Sequence, residues 1–275
     1  MRFGKAINAG FSVIGQLAIA SGLTPPAPFF VIGTGRCGSS LLVKILDSHP
    51  QLVGYLSEAN ELWHPNSYPF ATKSIDTPPI VEDPALFTKK SLNSWPNQHD
   101  RKIQATLAGH HFRKGLKKKI FVKSAMISFM VPQLLLLYPK AKFIHIYRNG
   151  PSVVESFLKK EWGKYRDYFG VEDEYRLCCA KYWNACLMEI EHQKRALTLE
   201  ESSAFLEFSY EQLCDSPTET LGEIGCFLSV SPAEFAFDTS QIVSQNYKVG
   251  AYSNEEKWAE LSRIMRPAMK LKVYL

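Results

Sequence analysis

Between positions 33 and 40 the chain reads Gly33-Thr34-Gly35-Arg36-Cys37-Gly38-Ser39-Ser40, glycines and hydroxyl side chains around one arginine. Glycines allow a tight turn that points backbone N–H groups inward, and such a concavity holds an anion. The apolar run 29–32 precedes this loop, and a helical pattern follows with Leu41, Leu42, Ile45 and Leu46 on one side. A helix start adds unpaired donors and partial positive charge at the same place. Ser39 and Ser40 are expected to cap that helix and to offer hydroxyls to the bound oxygens. Residues 142–158 carry matching chemistry: KFIHIYRNGPSVVESFL. A strand is expected to end at Arg148, with a Gly-Pro turn after it and then a helix bearing Ser156 on its second turn. Strand C-terminal ends are where open α/β sheets bind ligands, and a guanidinium forks onto phosphate oxygens. Two anion sites along one sheet edge imply a ligand with two separated phosphates.

The first loop has nearly the spacing of GxxxxGK[ST], the loop that cradles nucleoside triphosphates, but Ser39 stands where that loop needs lysine. Its cation sits inside the loop, at Arg36. Such a loop suits a ligand with one 5′-phosphate and a short anionic extension. ATP fits it poorly.

Both loops need a rigid sheet behind them. Apolar runs at 29–32, 120–122, 142–147 and 204–208 read as strands buried on both faces, separated by helical patterns at 130–138, 151–162 and 172–197. That alternation predicts an α/β fold of three layers, with a mainly parallel central sheet flanked by helices. Residues 101–119 are expected to form one basic helix, with Arg113, Lys114, Lys117, Lys118 and Lys119 near its end. A solvated face is the ordinary expectation for such a run; attraction of an acidic acceptor is the functional one. Tyr182 and Trp183 read as core, and a last helix is expected from 254 to about 265. Prolines punctuate the polar stretch 63–100, which reads as a long insertion or lid.

Together the two segments resemble the sulfotransferases that use 3′-phosphoadenosine 5′-phosphosulfate (PAPS). The resemblance runs from residue 29 to about 228. It implies a P-loop-like fold and in-line displacement of a sulfuryl group onto an acceptor hydroxyl, without a metal. It also implies that Gly35, Arg36, Cys37, Gly38, Ser39 and Ser40 grip the 5′-phosphosulfate, and that Arg148 and Ser156 bind the 3′-phosphate. The segment from Phe208 to Leu213 is similar to the YEDL element of that family, which makes Tyr210 the position near the adenine. Lys123 matches the lysine beside the sulfate, and Lys248 weakly resembles a late lysine that meets the cofactor. The loop arginine, and the run Leu46-Asp47-Ser48-His49-Pro50 followed by Glu58, look most like tyrosylprotein sulfotransferases and bacterial relatives. In that branch a glutamate faces the acceptor hydroxyl. Glu58 is therefore the expected base, with Glu61 and His64 as alternatives, and Glu58, Arg36 and Lys123 form the expected catalytic set. One departure stands out. The cytosolic branch has a histidine after the strand lysine, and here Ser124-Ala125-Met126 follows Lys123.

A chain of 275 residues fits one larger domain. Residues 1–28 read as an N-terminal segment ending in the Pro25-Pro26-Ala27-Pro28 linker, and 29–275 as the sulfotransferase-like domain with a variable acceptor-side insertion at about 63–119. The excess of 32 basic over 27 acidic residues suits an anionic ligand but is too small to argue for nucleic acid. Six cysteines without CxxC spacing argue for reduced thiols and against zinc. Arg2 and Lys5 precede a semi-apolar run over 6–23, broken by Asn8, Ser12 and Gln16. It reads as an amphipathic surface helix or a weak signal or anchor, compatible with peripheral membrane association. The cytoplasm is the expected location, with a membrane-associated or secretory route as the alternative. The acceptor stays open among sugar, lipid, peptide and small alcohol. Two competing readings are a P-loop kinase of small molecules or nucleotides using ATP, and a non-catalytic domain that binds PAPS or its desulfated product.

Overall fold

A strand that is apolar on both faces needs cover on both, and the three central strands of this protein are of that kind. The computed structural model describes residues 12–22, 26–55, 60–63, 99–124, 126–242 and 255–272. In chain order the elements are α1 (12–20), β1 (Phe29–Ile32), α2 (Ser39–Asp47), β2 (Leu52–Gly54), α3 (Asn60–Trp63) and α4 (His99–Lys114). Then come β3 (Lys119–Lys123), a 3₁₀ turn (Met126–Phe129), α5 (Val131–Leu137), β4 (Lys142–Tyr147), α6 (Gly150–Phe169) and α7 (Glu172–Arg195). The chain continues through α8 (Leu199–Ser202), β5 (Phe205–Ser209), α9 (Tyr210–Asp215) and α10 (Pro217–Leu228) to α11 (Glu255–Leu271).

The strands pair in parallel in the order β2-β3-β1-β4-β5, with Phe29 opposite Phe121 on one side and Lys142 on the other. Alternation along β1 splits the core in two. Phe30 and Ile32 pack with Val122, Phe143, Leu134 of α5 and Leu107 of α4. Phe29 and Val31 pack with Ile144, Leu42 and Ile45 of α2, and Ile224 of α10. A third cluster joins α6, α7 and α11 through Val153, Phe157, Trp183, Leu187 and Met265. From β1 the chain moves toward β2, and from β4 toward β5. The crevice at the C-terminal ends of β1 and β4 is therefore where the order reverses, the usual ligand position in such sheets.

The three-layer fold with a parallel sheet is as the sequence predicts. Several boundaries differ for local reasons. The expected basic helix over 101–119 stops at Lys114, because Gly115 adopts φ 107° and turns the chain out of the helix. Lys119 instead opens β3, and its ammonium and that of Lys142 donate to the Leu228 and Phe227 carbonyls at the end of α10. Cations there complement the helix dipole. Gly150 and Pro151 form the first turn of α6 rather than a separate turn, with the Asn149 side chain accepting from Ser152 N–H at 3.3 Å. The last helix runs on through Pro267. Burial of Met265 and Ala268 against α7, and a bond from Ala268 N–H to Asn184 Oδ1 at 3.2 Å, compensate for the donor that proline lacks. All six cysteines are free thiols.

Candidate functional site

The end of β1 meets its neighbour closely. Gly33 has φ 152°, and a Cβ there would lie 2.2 Å from the Ile146 carbonyl oxygen of β4, so no larger residue fits. Both backbone groups of Gly33 are held by one hydroxyl: its N–H donates to Ser128 Oγ at 2.9 Å, and Ser128 Oγ donates to its carbonyl at 3.0 Å. Two positions on, Gly35 N–H donates to the buried Tyr182 hydroxyl at 3.2 Å. The chain then wraps back through left-handed conformations at Arg36 (φ 65°) and Gly38 (φ 99°). For arginine that conformation costs roughly 1–2 kcal/mol, a strain of the kind that persists where function selects it.

Gly38 is the N-cap of α2, and no side chain caps that end. The caps expected from Ser39 and Ser40 are not formed, because Gly38 takes the cap position and puts both serines inside the first turn. The first N–H groups of α2 are thus left without a side-chain cap, the feature that makes a helix start an anion site. Cys37 lies fully buried beneath the loop, and burial pushes its thiol up, so it packs rather than reacts.

The second segment comes to the same place. Arg36 Nε donates to Ser156 Oγ at 3.1 Å, and Arg148 Nη1 donates to the Arg36 carbonyl at 3.4 Å. The Arg148 guanidinium lies 4.4 Å from the centre of the Tyr210 ring, and a Cβ on Gly38 would be 2.2 Å from that same ring. Burial pushes the Tyr210 phenol up to about 12, so it stays neutral under the arginine. The loop Gly35-Arg36-Cys37-Gly38-Ser39-Ser40, Arg148, Ser156 and Tyr210 are therefore neighbours. Among the described residues neither Arg36 nor Arg148 forms an ion pair with a carboxylate, and the buried Nε of Arg148 and Oγ1 of Thr34 have no hydrogen-bond partner. The buried Glu211 carboxylate stands nearby and accepts from Asn149 N–H at 3.0 Å; two arginines drawn together this way can serve anionic oxygens.

Lys123 ends β3, opposite Val31 and 6% exposed, and its charge acts on the thiol of Cys37 under the loop. Glu58, His64 and Lys248 lie outside the described residues, and Glu61 belongs to α3. Among the described residues no cluster of three or more His, Cys, Asp or Glu could hold a metal ion.

Sequence reasoning missed the supports. One helix, α7, reaches both loops. Tyr182 takes Gly35, and Trp183 Nε1 donates to the Arg148 carbonyl at 3.0 Å. Gln193 Nε2 donates to the Ser128 carbonyl at 3.2 Å, while its Oε1 accepts from Val131 N–H at 2.9 Å. Adjacent buried Tyr and Trp each need a polar partner, a signal that could have raised the question. Replacing Tyr182 with phenylalanine keeps the ring and strands the Gly35 donor. It should cost about 1–3 kcal/mol, read as a lower denaturant midpoint, and should weaken adenosine 3′,5′-bisphosphate binding by loosening the loop.

Comparisons with known proteins bear on the fold and the family. In folds, the chain is similar to sulfotransferase STF9 from Mycobacterium avium (TM-score 0.63, 11% identity, 94% of this chain and 81% of that one). It is also similar to sulfotransferase STF1 from Mycobacterium tuberculosis H37Rv (TM-score 0.57, 14% identity, 97% and 85%). A sulfotransferase from Alicyclobacillus acidocaldarius matches with TM-score 0.55 and 15% identity over 89% and 93% of the two chains. A protein of Aquifex aeolicus (strain VF5), described only as uncharacterized, is 22% identical over 265 residues. That match takes in 89% of this chain but only 32% of the relative, so the chain spans about a third of its length. The sequence profile of the sulfotransferase family matches residues 28–234, which include the loop after β1, Lys123, Arg148, Ser156 and Tyr210. With three-quarters of its length in that match, the chain belongs to the sulfotransferase family.

Proposed function

We propose that this protein transfers the sulfuryl group of PAPS to the hydroxyl of an acceptor. One observation carries the reading. The Arg148 side chain, from the end of β4, reaches the backbone of Arg36 in the loop after β1, so two cationic loops meet at the switch point of one sheet. The residues fit a bisphosphorylated adenosine. The uncapped start of α2 and Arg36 suit the 5′ end, the unpartnered Nε of Arg148 with Ser156 suits the 3′-phosphate, and Tyr210, stacked with Arg148, is the position matched to the adenine side.

When bound, PAPS supplies the sulfuryl group: the sulfur–oxygen bond to its 5′-phosphate breaks as the acceptor oxygen bonds to sulfur. Arg36 and the first N–H groups of α2 neutralise the charge that grows on that phosphate oxygen. Arg148 and Ser156 fix the other end, which holds the donor in line with the acceptor. Ser156 Oγ accepts from Arg36 and keeps its own proton to donate, so it links the two sites. Lys123 supplies positive charge beside the loop, on the side of the transferring group. Glu58 takes the proton of the acceptor hydroxyl, and Lys248 is the match for a late lysine that meets the cofactor. The acceptor is a hydroxyl-bearing molecule whose class the described residues leave open.

Thermal melting with adenosine 3′,5′-bisphosphate and with ATP tests the donor site, and transfer of labelled sulfate from PAPS to a panel of sugars, lipids, peptides and alcohols tests the reaction. The bisphosphate should raise the melting midpoint and ATP should leave it unchanged; at a hundred times its Kd the bisphosphate adds about 2.7 kcal/mol. A shift with ATP alone would make the protein a kinase candidate and end the proposal. A shift with the bisphosphate but no transfer to any acceptor would leave a binding domain.

A further inference from the structure

Helix α1 is amphipathic the wrong way round for a helix that packs on a protein. Its buried positions are Ser12, Gly15 and Ala18, small residues three apart, while Val13, Ile14, Leu17 and Ile19 are exposed by 57%, 38%, 68% and 42%. The small face is seated firmly. A Cβ on Gly15 would lie 1.7 Å from the Ala105 carbonyl oxygen and 2.8 Å from Gly109 N, so α1 lies backbone to backbone across the middle of α4. Seating the small face leaves the apolar side as a convex ridge with Val13 and Leu17, one turn apart, at its crest. A ridge of this kind, rimmed by charge, marks an interaction surface.

Among the described residues the fully exposed charge on that rim has one sign, Asp100 at the start of α4 being half-buried. The exposed residues of α4 are Arg101, Lys102, Arg113 and Lys114, and they stand a turn before and a turn after the α1 crossing. Exposed Lys117 follows within the next turn of chain. No acidic residue occurs in the sequence before Asp47. A protein partner needs a matching groove for a convex ridge, whereas acyl chains conform to any ridge and anionic headgroups meet the flanking cations.

We propose that α1 and the basic flanks of α4 form a docking face for an anionic lipid surface, with Val13, Ile14 and Leu17 entering the headgroup–acyl boundary and Arg101, Lys102, Lys114 and Lys117 lying against phosphates. Among the described residues no helix is long and apolar enough to cross a membrane, so the contact is one of lying on the surface. None of these residues belongs to the loops after β1 and β4, and the test does not depend on the transfer reading.

The experiment is co-sedimentation of the full chain with vesicles of phosphatidylcholine, pure or with about a third phosphatidylglycerol. Partition onto the anionic vesicles is expected, and it should weaken as salt rises. Leu17→Glu removes an apolar contact and adds repulsion, and it should lower partition about 10- to 100-fold. The double change Lys102→Gln and Lys114→Gln should lower partition about tenfold or more on anionic vesicles alone. Leu17 is on the surface, so melting and bisphosphate binding should be unchanged in Leu17→Glu, which keeps a folding defect from imitating the result. Absence of partition on both vesicle types, or partition indifferent to Leu17→Glu, overturns the proposal. So does a dimer in light scattering that Leu17→Glu dissolves while vesicles are ignored, because the ridge would then belong to a second copy of the chain.

Discussion

Arg148→Ala is expected to weaken adenosine 3′,5′-bisphosphate binding about 10²- to 10³-fold, measured by titration calorimetry. Arg148 is 7% exposed, and its buried Nε is unpartnered among the described residues. A charge-assisted bond contributes about 1.5–3 kcal/mol, and a fork to phosphate makes two of them. Arg148→Lys restores charge but not the fork, nor the stacking on Tyr210, and should recover only part of the loss. Adenosine 5′-phosphate, which lacks the second group, should bind wild type and Arg148→Ala nearly equally. Equal losses for both nucleotides would detach Arg148 from the 3′-phosphate and leave it a support of the loop through Arg36.

Glu58→Gln should remove turnover while nucleotide affinity holds. A general base contributes about 10²- to 10⁴-fold, and the amide keeps the size of the side chain while losing proton affinity. The departure after Lys123, where serine follows instead of histidine, moves the search for a base to the chain after β2. Single-turnover transfer of labelled sulfate reads the chemical step, and the melting shift with the bisphosphate reads binding. Full turnover in Glu58→Gln would take this residue out of the mechanism and turn attention to Glu61→Gln and His64→Gln.

What the sequence made legible was local. The strand–glycine–helix pattern over 29–48 needs only neighbouring residues to be recognised, and the Arg148–Ser156 pair needs one strand end and two helical turns. β2 was not legible, because a three-residue edge strand with half-buried Val53 and Gly54 has neither an apolar run nor a clear alternation. The end of α4 was misplaced because a lysine-rich helix end and a lysine-rich strand start look alike until Gly115 is seen in a left-handed turn. The missing serine caps have the same origin: one glycine conformation shifts the cap position by a residue. Least legible were Ser128, Tyr182 and Gln193. The bond from Gly35 to Tyr182 joins residues 147 positions apart, and no periodicity reports a contact of that range.

That same bond and its neighbour bear on selectivity. Tyr182 and Trp183 are consecutive on α7, and each fixes one of the two cationic loops. The gap between the loops is thereby held like the jaws of a caliper locked before anything is measured. A nucleotide whose anionic groups match that opening binds with little ordering still to be done, and one with a different span cannot gain by letting a jaw slide. On the proposed function, discrimination would then come from a length built into a single rod, and the side of α7 facing the loops would matter to ligand choice as the arginines do.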